Sequence, residues 1–194
     1  MNREKLTLRD YLLMALISVV FGVFYLLAVY AGTALSTLLT PFGLGVLGYE
    51  PFYGVWFMAA IITTYLIRKP VVGIITEVIA ALIEVMLGNM FGVIVMLSAF
   101  IQGLGVELPF AFTKYEKYSY KVTMTAAVSA TVVTFLWTGF RSNYLAMDWR
   151  IVAAIFVIRL LSSLFFTGYL SKRICDKLDE AGILTYLNPG GANE

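Results

Sequence analysis

Long stretches of this chain carry no charge. None lies between Tyr11 and Tyr49, between Pro51 and Ile67, between Val85 and Val106, or between Val122 and Phe140. Those stretches are built of Leu, Ile, Val, Met, Phe, Ala and Gly, and apolar runs of about 18 or more residues read as membrane-crossing helices. The pattern predicts an all-α integral membrane protein, a bundle of six transmembrane helices at about 10–37, 51–67, 71–87, 90–112, 122–141 and 149–175. The first span is longer than a hydrocarbon core of about 30 Å requires, so tilt or a protruding end is expected. Residues 41–50 are too few and too Gly-rich for another span. A flap over an outer cavity and a loop lying in the membrane interface both fit them.

Composition agrees. The 194 residues are 60% hydrophobic and 13% charged, where a soluble domain carries about 25% charged residues. One transmembrane domain, 1–194, uses the whole chain. The net charge of +2 matters less than its placement. Eleven of the fourteen Lys and Arg residues fall on one side of a six-span path, and the positive-inside rule makes that side, with both termini, cytoplasmic. The first apolar run is too long for a signal-peptide core, and no small-residue cleavage site follows it, so it reads as a retained helix.

With no His and a single Cys175, the chain has no Ser-His or Cys-His nucleophile pair, no multi-Cys metal site and no internal disulfide. It has no Gly-rich phosphate loop with a lysine. Neither an enzyme nor a nucleic-acid binder is expected, and no metal or cofactor is called for.

What the sequence does hold is polar residues sunk in apolar runs. Carboxylates in hydrocarbon are costly and turn toward a bundle interior, a partner or a cavity. Glu77 and Glu84 are seven residues apart, nearly two helical turns, and so share one face about 10 Å apart along the axis. Gly73, Ala80, Ala81 and Gly88 stand beside them, a small-residue stripe suited to the bundle interior. Glu77 is expected to pair with Arg159 in the sixth span, whereas Glu84 has no basic partner at its depth and suits a ligand. Gln102 either cross-links helices or meets the ligand, and Glu107 lies deeper on the same span. Tyr53 and Trp56 share a face near the outer end of the second span, as an interfacial belt or a stacking surface. Asn89, Trp137 and Tyr144 complete the outer half. Together they suit a flat, nitrogen-rich, cationic ligand.

Three stretches, EPFYGVWFMA, RKPVVGIITEVIAALIEVMLGNMFG and IQGLGVELPFAFTKY, resemble the substrate-capture (S) components of energy-coupling-factor (ECF) vitamin transporters, YkoE type. The resemblance implies a bacterial multi-pass membrane protein that binds thiamine or its hydroxymethylpyrimidine precursor near the outer face. It also implies a complex with a transmembrane coupling (T) protein and two ATPase domains, which hydrolyse the ATP. In many S components helix 1 docks on the coupling protein through an Ala-x-x-x-Ala pattern. Here Ala15 is followed by Val19, and Ser18 with Gly22 is the substitute pair. An ion- or proton-coupled carrier for a small cationic solute is the alternative.

Overall fold

The computed structural model describes residues 5–182, and all regular structure in them is helical. Helix α1, Leu8–Leu39, starts at a capping box: Asp10 accepts the Thr7 N–H at 2.7 Å and Thr7 Oγ1 faces the Asp10 N–H at 3.4 Å. Lys69 ties this start to the second span by an ion pair to Asp10 at 2.8 Å. Its 32 residues extend about 48 Å, well beyond a hydrocarbon core.

The second span is not one α-helix. Short 3-10 turns at Thr40–Phe42 and Gly45–Leu47 lead into eight residues of 3-10 helix, Glu50–Phe57, and only then into α2, Met58–Ile67. All ten residues of α2 are buried. Helices α3 (Val72–Met86), α4 (Ile94–Phe112) and α5 (Tyr120–Arg141) follow as neighbours in a row, with α1 against α3. Against α2 pack α1, α3, α4 and the last helix of the chain. The last rod joins α6 (Trp149–Ser163) to α7 (Ser171–Glu180) through a π-helical stretch, Leu164–Leu170. Five helical segments are long and apolar enough to cross a membrane; α3, at 15 residues, is the short one.

Small residues set the spacing. A Cβ on Gly54 would meet the Ser162 carbonyl oxygen at 2.4 Å, and one on Gly105 would meet Ala130 Cα at 2.8 Å. The 3-10 segment is stitched to α6 and its π stretch: the Gly54 N–H donates to Ser162 Oγ (3.0 Å), and Thr167 Oγ1 donates to the Gly54 carbonyl (2.8 Å).

Candidate substrate-binding site

A cavity of about 480 Å³ opens at the end of the bundle where α1 and α5 finish, within the usual range of small-molecule sites. The turns after α1 supply part of its wall through Gly45, Val46 and Tyr49. The Thr33 hydroxyl shares a 2.9 Å hydrogen bond with the Tyr49 hydroxyl, and Ser36 Oγ donates to the Gly45 carbonyl at 2.8 Å.

The 3-10 winding decides what faces this space. At three residues per turn, positions i, i+3 and i+6 eclipse; in an α-helix the first and last of them would lie about 120° apart. Glu50, Tyr53 and Trp56 therefore form one row, and all three line the cavity. Tyr53 and Trp56 meet edge to face with centroids 5.6 Å apart.

Four glutamates are buried among the described residues: Glu50, Glu77, Glu84 and Glu107. Glu107 caps the start of α3, accepting the N–H groups of Val71 (2.9 Å), Gly73 (2.7 Å) and Ile74 (3.2 Å), and the Tyr115 hydroxyl at 2.8 Å. This grip holds Val71, a β-branched residue, at φ +69°, a region such residues avoid. Glu77 accepts the Ala60 N–H at 3.0 Å, and the Tyr25 hydroxyl accepts the Ala59 N–H at 3.3 Å. Both bonds satisfy donors left open where the 3-10 segment becomes α2. Glu50 pairs with Arg159: Nε reaches Oε2 at 2.7 Å and Nη2 reaches Oε1 at 2.8 Å. Arg159 also donates to Thr138 Oγ1 and lies over the Tyr53 ring, 3.7 Å from its centroid.

Glu84 is different. Its Oε1 accepts from Asn89 Nδ2 at 2.7 Å, while Oε2 is buried and accepts no hydrogen bond. The Trp56 indole lies beside this carboxylate. Asn89 is itself fixed by the Phe91 N–H, which donates to its Oδ1 at 2.6 Å.

Of the predicted site residues, the fold gathers Tyr53, Trp56, Glu84, Asn89, Gln102 and Tyr144 around one cavity. Glu77, Glu107 and Trp137 stand apart from it: the first two cap helix ends, and Trp137 Nε1 donates to Ser98 Oγ at 3.0 Å, behind the lining. The expected Glu77–Arg159 pair is corrected to Glu50–Arg159, because the 3-10 segment, not α3, lies against α6. Ser18 and Gly22 are not an outward docking face. Ser18 donates to the Thr76 carbonyl at 3.0 Å, and a Cβ on Gly22 would meet Ile83 Cγ2 at 2.7 Å, so both face α3; Ala15 alone of the three is exposed. Glu50, Arg159, Tyr49 and Phe91 are lining residues that pattern reasoning missed. Glu50 carried a signal, being the only charge between Asp10 and Arg68.

Apolar helices enclosing a small cavity, with a half-satisfied carboxylate of Glu84 in its wall, suit a substrate-binding membrane component. Residues 9–133 match the family described as the ABC-type cobalt transport system, permease component. The chain is 38% identical over 176 residues to YkoE of Bacillus subtilis (strain 168), which carries the name HMP/thiamine permease protein; the match covers 91% of this chain and 86% of that one. It superposes on a crystal structure of an S-component of an ECF transporter with a TM-score of 0.87 at 36% identity, covering 96% of this chain and 92% of the other. The chain belongs to the S components of ECF transporters, of the YkoE type. It is a multi-pass membrane protein that binds a transported substrate and is not an enzyme.

Proposed function

We propose that this chain captures thiamine or its hydroxymethylpyrimidine precursor from outside the cell and passes it to a coupling protein driven by two ATPase domains. In this reading α3 is the sixth membrane crossing and both termini are cytoplasmic, which puts the cavity on the outer side. The observation that carries the reading is Glu84 Oε2, buried at the cavity wall with no donor of its own. An exocyclic amine on a pyrimidine supplies that donor, and a charge-assisted bond in a dry site is among the stronger polar contacts. Asn89 holds the carboxylate in place, and Gln102 offers an amide to ring nitrogens. The exposed part of the Tyr53–Trp56 pair supplies an aromatic wall for a flat ring or for the thiazolium cation.

Because Arg159 already covers one face of Tyr53, the ligand is expected to stack chiefly on Trp56. The Glu50–Arg159 pair neutralises itself and leaves Glu84 as the lining carboxylate that a donor on the ligand can meet. Fluorescence titration of the purified chain, together with mass spectrometry of copurified ligand, tests the reading. Quenching by thiamine or hydroxymethylpyrimidine at micromolar or lower concentration is expected. Saturable binding of an unrelated vitamin alone would overturn it. Uptake that persists without any ATPase partner and collapses with an uncoupler would favour a proton-coupled carrier instead.

A further inference from the structure

The cavity wall holds four charged side chains: Glu50, Glu84, Arg141 and Arg159. Glu50 and Arg159 cancel in a two-pronged buried pair. That leaves Glu84 near the end of α3 and Arg141 in the last turn of α5, with α4 packed between those two helices. The acidic and the basic group that remain are therefore carried by different helices of the cavity wall.

Among the described residues no carboxylate lies within ion-pair reach of Arg141, and no hydrogen bond from its side chain is formed. Its neighbour Ser142 lines the cavity as well, and the Ser142 N–H is already used by the Thr138 carbonyl at 2.8 Å, so the hydroxyl is the group Ser142 can offer. Arg141 is exposed at the mouth, where an anion keeps part of its hydration and avoids the full cost of burial.

We propose that the site also accepts phosphate monoesters of its ligand, with the aminopyrimidine end at Glu84 and the phosphate at Arg141 and Ser142. This rests on the thiamine reading above and extends it. A monoester carries about −1.5 to −2 charge at neutral pH. Elsewhere in the lining the other arginine, Arg159, is already paired with Glu50, and the carboxylate of Glu84 repels an anion. The planar fork of an arginine binds two phosphate oxygens at once, which a lysine at the same place cannot reproduce.

The test measures Kd for thiamine and for thiamine monophosphate on the purified full chain, as wild type, Arg141→Gln and Arg141→Lys. In the wild type the monophosphate binds within about tenfold of thiamine. In Arg141→Gln the ratio of the two Kd values rises by about 10–100-fold, the loss expected for a hydrogen bond to a charged group, and Arg141→Lys falls between. Thiamine binding without monophosphate binding in the wild type overturns this proposal and spares the thiamine reading. Binding of neither compound overturns both. A ratio unchanged by Arg141→Gln, in detergent and in phosphatidylglycerol nanodiscs alike, shows that Arg141 does not hold the phosphate and overturns the proposal.

Discussion

Replacing Glu84 by Gln isolates the contact on which ligand capture depends. Glutamine keeps the shape and can still accept from Asn89 Nδ2, now 2.7 Å from Oε1. Its other terminal atom becomes an NH2 where Oε2 stands unpartnered, so a donor on the ligand meets a donor on the protein. A hydrogen bond to a charged partner contributes about 1.5–3 kcal/mol, which predicts a Kd raised about 10–150-fold. The empty protein should not be weakened, because an uncompensated buried carboxylate costs stability that the amide does not. Two readouts therefore diverge: the melting temperature without ligand stays level or rises, while the shift produced by saturating thiamine shrinks. Isothermal titration and nanoscale fluorimetry in the same detergent measure both. An affinity within threefold of wild type would show that no ligand donor reaches Glu84. A melting temperature that drops without ligand would show that the carboxylate is a structural group like Glu107.

Three further substitutions probe the groups that shape the site. Glu107→Gln leaves at least one of the Val71, Gly73 and Ile74 N–H groups facing an NH2 and should cost about 2–4 kcal/mol; a lowered melting temperature with ligand affinity nearly intact checks it. Arg159→Met strands Glu50 in a buried position at about 3–5 kcal/mol, and adding Glu50→Leu should restore much of that; a double variant no more stable than the single one would argue against the pair as the cause. Gly54→Ala drives a Cβ to 2.4 Å from the Ser162 carbonyl. It should destabilise by about 1–3 kcal/mol or more and loosen the Tyr53–Trp56 wall, read as weaker ligand quenching.

Much of this arrangement was legible in residue order. The Glu84–Asn89 bond spans five residues, and its two members were both candidates before any fold was known. Tyr53 and Trp56 were paired on a helical period that turns out to be 3-10, and i, i+3 neighbours share a face in either helix. Glu50 escaped notice because only the tighter winding swings it into line with them, and its partner Arg159 is 109 residues away. Glu77, Glu107 and Trp137 were misplaced for a related reason. Their partners are backbone N–H groups or a hydroxyl on other helices, and no side-chain pattern announces those.

Residence in the membrane was determined by the sequence alone, because hydrophobicity adds up along a chain whatever its neighbours do, and about 18 apolar residues suffice. The presence of unusual polar groups in those spans was equally visible, since oil makes each one expensive. Their division of labour was decided only when the helices packed. A buried carboxylate takes whichever donor lies nearest in space: an arginine, helix ends and a tyrosine engage both oxygens of Glu50 and Glu107 and one of Glu77, and the unpartnered oxygen at the cavity wall is the one on Glu84.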